Sequence, residues 1–157
     1  MNMAYKKIDE TNKHIFHKLM LDYYREGCDE NTPQNILDDF IISLYNNIVT
    51  KSMYGRLIEL DKKIIGFVIW MIDVDGNDYS EMPGYGTIAE IGIKAEYRNQ
   101  GIGKKIVLFA EKKMMEMGVK GFYVTVYEPA TKFWSNCGYT NTHNKGNNNL
   151  EIYSKKV

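Results

Sequence analysis

The stretch from Thr87 to Tyr127 leaves little freedom in how it can fold. "TIAEIGI" (Thr87 to Ile93) alternates as a strand does, with Ala89, Ile91 and Ile93 on one face and Ile88, Glu90 and Gly92 on the other. From about Gly101 to Met117 the period lengthens. Ile102, Ile106, Phe109, Ala110, Met114 and Met117 share one helical stripe, and Gly118 stops it. "GFYVTVY" (Gly121 to Tyr127) reads as a strand again. Between the first strand and the helix lies "YRNQGIGKK" (Tyr97 to Lys105), with two glycines one residue apart. Glycines at a helix start clear side chains away from backbone amides. Those amides have no partner inside the helix, the helix dipole is positive there, and Arg98, Lys104 and Lys105 add charge. The stretch reads as a pyrophosphate cradle, against the plainer alternative of a tight turn. It is neither of two better-known phosphate loops. A P-loop needs Gly-Lys-Ser/Thr, and here Gly103 is followed by Lys104-Lys105. A dinucleotide fingerprint needs a third glycine where Ile106 stands.

The rest of the chain supplies a sheet and helices around this unit. Ala4 to Ile8 predicts a first strand, and a helix follows from Asn12 to about Glu26, with Ile15, Phe16, Leu19, Met20 and Tyr23 at helical spacing. Thr32-Pro33 predicts the next helix start, Thr32 as N-cap and Pro33 as the first helical residue. Ile36, Leu37, Phe40, Ile41, Leu44 and Ile48 give that helix an apolar face. Tyr54 to Leu60 and Ile64 to Asp73 form two strands around the turn Asp61-Lys62-Lys63. A short helix, "PATKFWSNCG", and two strands around Tyr139–His143 and Leu150–Lys155 end the chain. The order is β-α-α-β-β-β-α-β-α-β-β, an α/β class with a mixed sheet flanked by helices, and 157 residues suit a single domain.

Composition narrows the function classes. The longest apolar run, "IIGFVIWMI" (Ile64 to Ile72), is a buried strand rather than a membrane span. The N-terminus lacks the apolar core of a signal peptide, so the cytoplasm is the expected compartment. Cys28 and Cys137 lie far apart and His14, His17 and His143 do not cluster with them, which leaves metal chemistry unsupported. Residues 1–86 carry 9 basic and 14 acidic side chains, net −5, and residues 87–157 carry 11 and 6, net +5. The basic half suits an anionic ligand and the acidic half a cationic one. Zero net charge, with no basic aromatic-lined surface pattern, places nucleic-acid binding last.

Arg98-x-x-Gly101-x-Gly103, "IAEIGI" before it and Phe133-Trp134-x-x-x-Gly138-Tyr139 after it resemble the GCN5-related N-acetyltransferase (GNAT) family in order and spacing, from about Leu57 to Tyr139. The resemblance implies a GNAT-like, mostly antiparallel sheet and acetyl-CoA as co-substrate. The backbone amides of Asn99, Gln100, Gly101, Ile102, Gly103 and Lys104 would hold the pyrophosphate, with Arg98 beside them. The backbone of Ile91 and Ile93 would pair with the pantetheine arm as an added strand, their side chains lying in the core. Gly92 falls where the family often has a bulge, and an amide there would face the acetyl carbonyl. Acetyl transfer to a primary amine by direct attack is the implied activity, and no cysteine or serine sits in a nucleophile motif. A non-catalytic acyl-CoA-binding module is the alternative.

One departure bears on the acid. The family's tyrosine that protonates the departing thiolate is replaced by Trp134, whose indole is no usable acid. Three readings stay open: Trp134 shapes the thioester pocket, Tyr127 or Tyr139 serves as acid, or the thiolate leaves unaided. Glu90 is the candidate base, against a structural role as a half-buried, paired glutamate. The acceptor side is expected in the N-terminal half, from Tyr24, Glu26, Asp29 and Glu30 or from the acidic loop Asp73, Asp75, Asp78 and Glu81. Such a site leans towards a small cationic amine. Neither nucleic acid nor a membrane is an expected partner, and the strand after "NKGNNN" leaves a homodimer open.

Overall fold

A computed structural model describes residues 2–27 and 31–157. Its elements follow the expected order: β1 (Met3–Lys7), α1 (Lys13–Gly27), α2 (Gln34–Val49), β2 (Tyr54–Leu60), β3 (Lys63–Ile72), β4 (Gly86–Ile93), α3 (Ile102–Glu116), β5 (Gly121–Val126), α4 (Thr131–Asn136), β6 (Thr140–Lys145) and β7 (Glu151–Lys156). The strands form a seven-stranded, mostly antiparallel sheet in the order β1-β2-β3-β4-β5-β7-β6. By packing, the chain divides into two compact units: Met1–Ile69 with Glu90–Asn99, and Trp70–Ala89 with Gln100–Val157.

In the first unit β1 pairs antiparallel with β2, Met3 opposite Leu60 and Lys7 opposite Arg56. Phe16 and Met20 of α1, Ile41 of α2, Leu57 of β2 and Phe67 of β3 form a fully buried cluster. Burial of each such side chain contributes about 1.5–3 kcal/mol. The helical stripes are narrower than their periodicity predicts. Ile15, Ile36 and Phe40 remain exposed, while Leu37, Ile41, Leu44 and Tyr45 carry the buried face of α2. The expected cap at Thr32 is corrected as well. Pro33 keeps an extended ψ of 142° and stands at the cap position, so the helix begins at Gln34. The Thr32 carbonyl is taken by Arg25 Nη1 at 2.7 Å.

In the second unit β4 and β5 run parallel, Gly86 opposite Phe122 and Thr87 opposite Tyr123, a pairing that needs the α3 crossover. β7 then adds antiparallel to β5, from Gly121 opposite Lys156 to Val126 opposite Glu151. Ile102, Ile106, Ala110 and Met114 of α3 are buried, whereas Met117 lies beyond the helix and is exposed. Glu111 interrupts the apolar stripe of α3 yet is only 4% exposed. Lys155 Nζ reaches both of its oxygens, at 3.1 and 2.9 Å, and also the Cys137 carbonyl at 2.9 Å. A charge buried at that depth persists only when paired and hydrogen-bonded in this way.

The connection from β3 to β4 is organised by Asp73, 2% exposed. Its Oδ2 accepts the backbone N–H of Glu81 and of Met82 and the Tyr123 hydroxyl, each at 2.8 Å. Its own N–H donates to the Tyr85 carbonyl, and its carbonyl accepts from Gly84, both at 2.8 Å. Burial pushes the carboxyl pKa up, but the donated hydrogen bonds outweigh it and hold Asp73 below the usual aspartate range. The acidic-loop reading of Asp73 as an amine ligand is therefore corrected: this carboxylate closes its own loop.

Candidate active site

Glu90 lies near the end of β4, half-buried, and two hydroxyls from one turn of α1 converge on it. Tyr24 donates to Oε1 at 2.8 Å and Tyr23 to Oε2 at 3.1 Å. Aromatic packing sets these hydroxyls in place. Tyr23 stands edge-on to Phe67 of β3 (ring centroids 5.1 Å apart) and to Tyr24 (5.2 Å), and Tyr24 stands edge-on to Phe40 (5.5 Å). Burial raises the Glu90 pKa above the ordinary glutamate value, and the two tyrosine donors only partly offset it. A carboxylate has about four acceptor positions, so two donors leave room for a proton or a water. A raised carboxyl with spare acceptor capacity is the form a general base takes near neutral pH.

Gly92 follows two residues later, and its lack of a side chain has a packing reason. A Cβ there would lie 2.5 Å from the Phe67 ring and 2.8 Å from the Tyr23 ring. The glycine thus lets the aromatic pair approach β4 and aim at Glu90. Ile91 and Ile93, expected as core side chains, are instead only half-buried, a correction to the alternation reading.

The turn after β4 is built from special backbone angles. Asn99 takes φ 61° and Gly101 φ 77°, both left-handed. Nothing lies within 4 Å of a Cβ placed on Gly101, so its glycine answers to backbone angle rather than crowding. α3 opens with Lys105 N–H on the Gly101 carbonyl at 3.4 Å, leaving the amides of Ile102, Gly103 and Lys104 in its first turn. Gln100, Asn99 and Lys104 are exposed. Arg98 acts as a strut here: Nε donates to the Ile93 carbonyl at 2.8 Å and Nη1 to Glu26 at 2.7 Å. Glu26, expected to meet an amine, is thus already matched with a cation, whose hydrogen bond and charge lower its pKa. Asp29 and Glu30 lie outside the described residues.

The acid candidates belong to the second unit. Trp134 is 6% exposed, edge-on to Phe133 and Tyr139 at 5.0 and 5.2 Å, an apolar wall. Tyr139 is 2% exposed, and its hydroxyl is buried near Glu111. Burial and the nearby Glu111 charge push its pKa well up, which disfavours proton donation. Tyr127, just after β5, is 55% exposed.

A family model described as "Acetyltransferase (GNAT) family" matches residues 13–139. The chain belongs to the GNAT acetyltransferase family. No curated protein matches it by sequence. Its fold is that of solved GNAT structures at low identity. PaiA N-acetyltransferase of Thermoplasma acidophilum, in complex with coenzyme A, superimposes with a TM-score of 0.74 at 16% identity over 100% of both chains. A GNAT acetyltransferase of Brucella melitensis, in complex with acetyl-CoA, gives 0.70 at 11% over 99% of this chain and 88% of that one. AAC(6')-Iy, in complex with a bisubstrate analogue of CoA and acetylneamine, gives 0.72 at 14% over 92% and 95%. Among the described residues no helix is long and apolar enough to cross a membrane.

Tyr23 is the site residue that periodicity conceals. Its ring belongs to the α1 stripe, so the sequence presents it as core, while its hydroxyl belongs to Glu90. The neighbouring Tyr23-Tyr24 pair was the available signal.

Proposed function

We propose that this GNAT protein transfers the acetyl group of acetyl-CoA to a primary amine, with the amine attacking directly in a ternary complex. The observation that carries the reading is Glu90, raised by burial and held by two tyrosine hydroxyls just before the glycine turn. Acetyl-CoA supplies an activated acyl group. The amides of residues 99–104, with Gly101 and Gly103 bare, are the groups that would hold its phosphates. The half-buried edge of Ile91 and Ile93 would meet the pantetheine arm. Arg98 fixes the angle of the turn through the Ile93 carbonyl and Glu26.

In the transfer, one N–C bond forms and the C–S bond breaks. Before attack one ammonium proton passes to Glu90, directly or through water; a second leaves the nitrogen as the amide forms, to solvent or to the departing thiolate, which carries away the electron pair. A thiol pKa of about 8.5 lets that thiolate leave without a strong acid. The buried Tyr139 and the apolar Trp134 agree with this assignment, and exposed Tyr127 is the more accessible phenol.

The test is CoA release from acetyl-CoA with a panel of amines and a no-acceptor control. Amine-dependent release establishes the transferase. Retained acetyl-CoA binding with no release for any amine points to the acyl-CoA-binding module. Gly103→Asp should weaken acetyl-CoA binding at least tenfold, because a carboxylate would face the phosphates; unchanged affinity by calorimetry removes the cradle. Tyr24→Phe should move the acidic limb of the kcat/KM profile to higher pH. The lost hydrogen bond favoured the carboxylate, so the Glu90 pKa rises further. A limb that stays in place, or moves to lower pH, detaches Glu90 from it.

A further inference from the structure

Two side chains of α2 that periodicity assigns to the core stay outside it. Ile36 is 53% and Phe40 45% exposed, and they lie one helical turn apart on the same side. A single exposed apolar side chain is ordinary on a protein surface. Phe40 differs in being packed against a ligand of the candidate base. Its ring stands edge-on to Tyr24 at 5.5 Å, and the Tyr24 hydroxyl donates to Glu90 Oε1 at 2.8 Å. Glu90 and Phe40 are therefore one tyrosine side chain apart, and all of these residues belong to the first unit. The series opens outward: Glu90 and Tyr24 are half-buried, and Phe40 and Ile36 are exposed.

Two carboxylates of the same helices already have partners. Glu26 accepts from Arg98 at 2.7 Å, and Asp38 Oδ1 lies 2.6 Å from His17 Nε2 and accepts from Gln34 Nε2 at 3.3 Å. What α2 presents next to Tyr24 is thus a ring and an aliphatic side chain, half in water. Covering them releases that water, and a second apolar group that meets the ring edge-on or offset gains further contact. The occupant is small. Two side chains fall far short of the roughly 800 Å² per partner that a stable interface between copies buries. They match one ring-sized group, carried by a molecule whose nitrogen reaches Glu90.

We propose that Phe40 determines acceptor specificity: its exposed ring, continued by Ile36, carries the apolar body of the amine that Glu90 deprotonates. The inference rests on the transferase reading above. It selects a monoamine whose nitrogen bears a ring-sized apolar group over a short or strongly polar amine.

Acetyl transfer is measured with phenethylamine and ethylamine, which present a primary amine with and without the ring. The expected kcat/KM is at least tenfold higher for phenethylamine. In Phe40→Ala the ratio should fall towards one. Phe40→Leu keeps an apolar side chain against Tyr24 and should give an intermediate ratio. Asp39→Asn, exposed and next to Phe40 in the chain, removes a charge instead of the ring and should keep the wild-type ratio. Equal kcat/KM for the two amines in wild type, or a ratio lost in Asp39→Asn, overturns the proposal. So does an equal loss on both amines in Phe40→Ala, which makes Phe40 a positioning residue for Tyr24. A wild-type dimer that Phe40→Ala turns into a monomer, by sedimentation, also overturns it, because a second copy then covers this face. Each of these leaves the transferase reading standing. Calorimetric titration of phenethylamine into the CoA-saturated protein separates the remaining cases. Binding lost in Phe40→Ala, without transfer to any amine, supports the apolar surface and sinks the transferase. Neither binding nor transfer sinks both.

Discussion

Glu90→Gln is expected to lower kcat/KM for the amine by about 10²–10⁴-fold, the range of a lost general base. Acetyl-CoA affinity should change little, because the turn that holds the phosphates is made of backbone amides. The same substitution should leave the melting temperature unchanged or raise it. Burial lifts the Glu90 pKa in the folded protein, so keeping the carboxylate charged at neutral pH works against folding. The sign follows from proton binding: between the ordinary glutamate value and the raised one, the folded state holds more protons than the unfolded state. Stability attributable to Glu90 is thus greatest at low pH and declines as pH rises through the raised pKa. A neutral amide removes that penalty. Steady-state kinetics with calorimetry on one preparation decides the matter. Full activity in a folded variant assigns deprotonation to solvent or another group, and a strongly lowered melting temperature makes Glu90 a structural residue.

Asp73→Ala should act the other way, with a loss of about 3–5 kcal/mol in folding stability. It strips the acceptor from two backbone amides and the Tyr123 hydroxyl at a buried position. Each orphaned buried donor costs about 1–3 kcal/mol, less whatever water recovers. The loss should depend on pH. Because the Asp73 pKa is depressed, its contribution is fully present above the unfolded value of 3.8 and fades as pH falls through the lower folded value. Wild type and variant should therefore converge in acid. Urea unfolding at neutral pH and at pH 3 and below measures this. A neutral-pH loss under 1 kcal/mol would show that the loop closes without the carboxylate.

These two carboxylates show how far a sequence alone reaches. Glu90 is legible as a candidate base because it sits in an alternating strand just before a glycine turn, both local patterns. Asp73 is not, because it reads as one more acid in a polar loop until Glu81, Met82 and Tyr123 close on it. Glu26 is similar: its matching cation, Arg98, lies 72 residues away. Glu111 looks like a flaw in a helical stripe until Lys155 arrives from β7.

By itself, the sequence determined the order of elements, the place of the glycine turn before α3, and the family. Each of these is written in residues a few positions apart, where strand and helix periods and backbone angle preferences act directly. The tertiary structure alone decided which acids are free and which are bound. It placed Tyr23 and Tyr24 on Glu90, matched Glu26 with Arg98, and closed Glu81, Met82 and Tyr123 on Asp73. Those assignments turn on register and packing between segments far apart in the chain, and no local period encodes them.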